Sequence, residues 1–204
     1  MYDCSPENQT ILDYEKTKQF LEGFDWTMIN IFGFYGGEPS INTELYDKFI
    51  ALIPKNTPKF VITNGTWSTS KDETDKFLEW CFKNQMWLIV SSTPEHIKHQ
   101  RREFLEILSR NLNKEVPGFM VLKDPDEIHA QGRARNYPDI PKDCKLSCRR
   151  TDRNTRLGLK PDGNVVFQNC HGEYLTVQTY EQPFEGILER TQRMVAECLL
   201  TKRG

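Results

Sequence analysis

The sequence predicts an α/β fold built on a parallel sheet, and three observations carry that expectation. Four short apolar runs of strand length, 28–34 (MINIFGF), 59–63 (KFVIT), 86–91 (MWLIVS) and 118–122 (GFMVL), alternate with segments of helical spacing. The runs are apolar nearly throughout, as strands covered on both faces are. The first three are followed by glycine or small polar residues, which punctuate strand ends.

Taken in order, residues 11–23 place Ile11, Leu12, Tyr14, Phe20 and Leu21 at helical spacing ahead of the first strand. A helix from Asn42 to about Leu52, stopped near Pro54, leads to the strand at 59–63. A helix at about 70–84 leads to the strand at 86–91, and a third, 95–112, precedes GFMVL. Repeated βα units of this kind form one parallel sheet. Residues 124–156 are rich in Asp, Pro, Arg and Cys without helical period and read as a structured loop or linker. LGLKPDGNVVFQNC reads as a hairpin turning at Pro161-Asp162-Gly163, where proline presets one turn dihedral and glycine supplies a positive one. A final amphipathic helix at about 183–200 carries Phe184, Ile187, Leu188, Met194, Val195 and Leu199.

At 204 residues the chain can bury a real core. Its 27 basic and 29 acidic residues leave a net charge of −2, which gives no electrostatic argument for a nucleic-acid or anionic-membrane partner. No apolar run approaches the roughly 18 residues that span a bilayer, and the polar N-terminus lacks a signal-peptide core, so the cytoplasm is the expected location. In a reducing compartment, Cys144, Cys148 and Cys170 read as metal or cluster ligands sooner than as disulfides. Cys81 lies inside an apolar helical pattern and reads as a small core residue.

The strand ends carry the functional signal. Gly36, Gly37, Glu38 and Pro39 follow the first strand, Thr63-Asn64-Gly65-Thr66 the second, and Ser91-Ser92-Thr93 the third. Parallel strands deliver their C-terminal ends to one edge of a sheet, where ligands of α/β folds bind. Glycines there let a ligand approach the backbone, and Glu38 adds a negative charge suited to an ammonium group.

GFYGGEP, VITNGT and VSSTPEHIKHQRR resemble the corresponding segments of radical S-adenosylmethionine (SAM) enzymes, within the branch that bears a C-terminal extension of the SPASM/twitch type. The resemblance runs from Cys4 to the last helix. It implies a partial (βα)6 barrel lacking its first strand over residues 1–130, followed by a small cysteine-containing extension over 131–204. It further implies that Gly36, Gly37, Glu38 and Pro39 meet the methionyl end of SAM. Thr63 and Asn64 would face the same cofactor, with Ser91 and Arg102 as further contacts and Arg101 as the neighbouring candidate. Gly132-Arg133-Ala134 resembles the segment that joins barrel to extension. In relatives the following hairpin and cysteines hold an auxiliary iron–sulfur cluster, and Cys144, Cys148 and Cys170 would do so here, with His171 or Cys198 as a fourth ligand, although Cys198, on the apolar side of a helix, reads as a core residue sooner than as a ligand. Zinc suits three thiolates plus an imidazole equally well.

The family's catalytic [4Fe–4S] cluster is held by three cysteines spaced C-x-x-x-C-x-x-C. Cys4, 32 residues before Gly36, fits the third of these, and Met1 stands where the second belongs. One thiolate does not retain a cubane cluster. Two readings stay open: an N-terminal truncation, favoured because a barrel without its first strand leaves an unpaired edge, or a genuine short form that has lost the redox chemistry. The chain as it stands is expected to generate no radical. In an intact form, the resemblance implies an oxidoreductase-like reaction. Reductive cleavage of SAM would yield a 5′-deoxyadenosyl radical that acts on a substrate, a peptide or protein in many relatives, with flavodoxin or ferredoxin as electron donor. A catalytically inactive SAM- or peptide-binding module, and a structural protein with a zinc site, are the alternatives.

Overall fold

A computed structural model describes residues 11–34, 37–91, 94–101, 103, 119–122, 157–168 and 174–200. The chain is a mixed α/β protein with one parallel and one antiparallel sheet. It divides into two units, one made of 26–127 and the other of 1–25 together with 128–204.

In the first unit, β1 (Phe32–Phe34), β2 (Lys59–Thr63), β3 (Met86–Ser91) and β4 (Phe119–Leu122) lie side by side in chain order, all parallel. Among the described residues this sheet is open, and no barrel closes. Alternation along the strands gives two faces. Phe34, Val61, Thr63, Met86, Leu88 and Val90 are buried on one of them, while Phe60, Ile62 and Ile89 are half-buried and Trp87 is exposed on the other. Lys59 begins β2 on the buried face. Its ammonium donates to the carbonyls of Thr57 at 3.1 Å and Lys55 at 3.5 Å, and burial lowers its pKa.

Local chemistry sets the connecting helices. α2 (Thr43–Ile50) starts where Asn42 Oδ1 accepts from the Leu45 amide at 3.1 Å. α3 (Lys71–Lys83) starts at Ser70, whose hydroxyl accepts from the Glu73 amide at 3.2 Å. α3 buries Thr74, Phe77, Trp80 and Cys81, and the indole of Trp80 donates to Asp47 on α2 at 2.7 Å. α4 covers only Pro94–Ile97, so the continuous helix expected at 95–112 is interrupted: the chain turns at Lys98–Gln100 and Arg101 is not helical, while of the expected helix beyond it only Glu103 is described. The first strand is shorter than its apolar run. Met28 ends a 3-10 turn (Trp26–Met28), and pairing starts only at Phe32, opposite Lys59, because the partner strand begins there.

Cys81 is a free, buried thiol, as its helical position suggests, and burial pushes its pKa up to about 12. The folded thiol therefore stays protonated where the unfolded one, with a pKa of 9.0, has ionised. This contribution is constant below about pH 9 and is lost as pH rises toward about 12, at up to about 1.4 kcal/mol per pH unit. Urea unfolding of Cys81→Ala is expected to lose stability less steeply with pH across that window than the parent chain. Parallel slopes would show that the thiol ionises equally in both states.

The second unit is a three-stranded antiparallel sheet of β5 (Leu157–Leu159), β6 (Asn164–Gln168) and β7 (Tyr174–Thr179), packed with α1 (Tyr14–Glu22) and α5 (Ile187–Leu200). The expected turn forms with Gly163 at φ +82°, closed by the Gly163 amide on the Lys160 carbonyl at 3.0 Å. The third strand was not expected from the sequence. It continues the hairpin and pairs with the whole of β6 across a bulge at Val165/Val166. Phe20 of α1, Val165, Tyr180, Phe184 and Ile187 form the core, with Phe20 stacked on Tyr180 at 5.3 Å. Phe184 lies ahead of the last helix, which begins at Ile187. Among the described residues no helix is long and apolar enough to cross a membrane.

Candidate functional site

The C-terminal ends of β1, β2 and β3 come together through one polar network. Glu38, the residue before the 3-10 turn Pro39–Ile41, turns its carboxylate toward β2. Its Oε1 accepts from the Thr63 hydroxyl at 2.5 Å, the Ser40 hydroxyl at 2.9 Å and the Ser40 amide at 3.2 Å. Its Oε2 accepts from the Asn64 amide at 2.8 Å. The charge that the sequence suggested for an ammonium ligand is thus satisfied largely by the rim itself, through charge-assisted bonds that tie the β1 end to the β2 end.

Thr63 is the centre of that network. Besides donating to Glu38, its oxygen accepts from the Trp67 indole at 2.8 Å and the Gly65 amide at 3.1 Å. Thr63 is only 2% exposed and Trp67 8%, so each of these bonds is made away from water. Asn64 folds back on its own loop, with Oδ1 accepting from the Thr66 amide at 2.9 Å and the Thr66 hydroxyl at 2.7 Å. This leaves the amide Nδ2 as the part of the side chain able to donate to a ligand.

Two glycines of the rim have positive φ and opposite surroundings. Gly65, at φ +75°, is covered: a Cβ there would come within 3.0 Å of both Gln100 and Val90. Gly37, at φ +54°, is exposed, and a Cβ there would meet no described residue within 4 Å. The glycine of TNGT is therefore explained by protein packing. That of GGEP has open space beside its Cα among the described residues, the geometry a ligand's approach needs.

Of the residues singled out in the sequence, Gly37, Glu38, Pro39, Thr63, Asn64 and Ser91 all lie at strand ends of this unit. Glu38, Thr63 and Asn64 are joined directly. Gly36, Arg102, Cys4, Cys144, Cys148, Cys170 and His171 lie outside the described residues, as does the side chain of Cys198. Arg101 is exposed, 3.9 Å from Glu103, a surface pair of little energetic weight. Among the described residues no group of three or more His, Cys, Asp or Glu could hold a metal ion. Sequence reasoning missed Trp67 and Gln100. Trp67 had a signal, since a buried indole needs an acceptor and Thr63 stands four residues before it. Gln100 had almost none among its basic neighbours. No family model matches the chain, and no curated protein matches it.

Proposed function

We propose that the chain is a radical SAM-type protein. Its rim at Gly37, Asn64 and Ser91 binds SAM over a floor formed by the buried Thr63, and its parallel strands are part of a partial (βα)6 barrel. The observation that carries this reading is the space beside the Cα of Gly37 among the described residues, set against the filled space at Gly65. In this reading Gly36, Gly37, Glu38 and Pro39 take the methionyl end, and Arg102 is a further contact. Glu38 also builds the floor through Thr63 and Asn64. The residues around Gly37 suit a small polar ligand. The donor set does not suit a cubane cluster, because Cys4 alone supplies a thiolate ahead of the first strand. The activity proposed for the described rim is SAM binding. The family reading would add a [4Fe–4S] cluster as the source of the electron for reductive SAM cleavage, with a peptide or protein as the substrate class and a flavodoxin or ferredoxin as donor. Cys144, Cys148 and Cys170 are the proposed ligands of an auxiliary cluster or zinc ion.

Calorimetric titration with SAM tests the rim. Weak binding is expected for the chain, and Gly37→Val should abolish it by filling the open space. The substitution also strains a left-handed backbone by about 1–2 kcal/mol, so its thermal melt is compared alongside. Equal SAM affinity for a folded Gly37→Val variant and the parent chain would show that GGEP here is only a turn.

A further inference from the structure

The last pairing of β2 with β3 is Thr63 with Val90, and one residue farther on stand Asn64 and Ser91. Their carbonyls are bridged by one atom. Gln100 Nε2 donates to the Asn64 carbonyl at 2.6 Å and to the Ser91 carbonyl at 2.5 Å, using both hydrogens of its amide. The chain reaches this place because a turn after α4, closed by the Gln100 amide on the Ile97 carbonyl at 3.3 Å, brings residue 100 back to the sheet edge. The Gln100 side chain also lies over Gly65, 3.0 Å from where a Cβ would be, which adds crowding to a φ of +75° that already favours glycine there.

We propose that Gln100 is a positioning residue that clamps the ends of β2 and β3 and so fixes Asn64 for the ligand. Asn64 is then held from both sides, its amide by Glu38 and its carbonyl by Gln100. A continuous belt, Glu38 to Asn64 to Gln100 to Ser91, crosses the ends of three strands. A rim anchored in this way presents the Asn64 Nδ2 group in one place, and binding does not have to order it. Gln100 itself, with both amide hydrogens committed, touches no ligand in this scheme.

The inference rests on the proposed SAM site for its binding arm, and a second arm is independent of it. Gln100→Leu keeps much of the volume and removes both donors. Amide exchange of the full chain without SAM is expected to quicken at least tenfold at Asn64 and Gly65. Unchanged exchange would overturn the clamp whether or not SAM binds. In calorimetry with SAM, Gln100→Leu should weaken binding at least tenfold. Met86→Ala, at the opposite end of β3 and chosen for a comparable drop in melting temperature, should leave affinity unaltered. Equal weakening in both variants, or none in Gln100→Leu, would reduce Gln100 to a general stability role and sink the positioning proposal. If the parent chain binds no SAM while exchange quickens as expected, the clamp stands and the SAM reading fails.

Discussion

Thr63→Val is expected to destabilise the 26–127 unit by about 3 kcal/mol, well beyond the roughly 1 kcal/mol of a single neutral hydrogen bond. Valine has nearly the shape of threonine, so little packing changes. What disappears is one oxygen that serves Glu38, the Trp67 indole and the Gly65 amide together. Two buried donors are then left without an acceptor, each at about 1–3 kcal/mol, and Glu38 loses its shortest contact. Urea unfolding followed by tryptophan fluorescence measures the loss. Thr63→Ser, which keeps the hydroxyl, should recover most of it. A cost below about 1 kcal/mol for valine would mean that the rim is not organised through this oxygen.

The second large effect is expected at the other end of the sequence. Phe20→Ala should cost about 3–5 kcal/mol, the range for truncating a buried aromatic residue. The loss should be felt by strands about 150 residues away. Phe20 is 4% exposed, stacks on Tyr180 and meets Phe24 edge-on at 5.0 Å. Amide exchange is the direct measurement: the amides of Asn164–Gln168 and Tyr174–Thr179 should lose protection. If they keep it, α1 is not part of the core that contains Val165 and Ile187. An isolated helix of nine residues is marginal in water, so α1 itself should fray in the variant.

These two sites separate what could be read from the sequence and what could not. The runs KFVIT and MWLIVS became β2 and β3 with the expected bounds, since an apolar run of that length between capped helices has few other uses. Ser70, Asn42 and Asp13 cap the helices they precede, through bonds made within three residues. The strand ends were legible as one rim because parallel strands must deliver their C-terminal ends together. The direction of the Glu38 carboxylate was not legible. Its partners Thr63 and Asn64 are 25 and 26 residues away, and only the sheet register sets them within reach.

Periodicity marked residues 11–23 as amphipathic, but an apolar face does not state what it will cover. Placed before the first strand, α1 reads as belonging with the parallel sheet. Its Phe20 instead enters the core of the β5–β7 sheet, where Tyr180 and Phe184 offer aromatic surface to match it. The same limit applies to the two glycines. Both GGEP and TNGT promise a positive φ at a strand end, and both have one. Which of them stays open is decided by Gln100, 35 residues after Gly65, because a side chain's reach across a strand edge depends on the turn after α4 and on no local pattern. The sequence by itself determined β2, β3, the turn at Gly163 and the polar character of the rim, all consequences of neighbours in the chain. The tertiary structure alone decided which core α1 joins, where the Glu38 charge is satisfied and which glycine is left for a ligand, since each depends on pairing between distant residues.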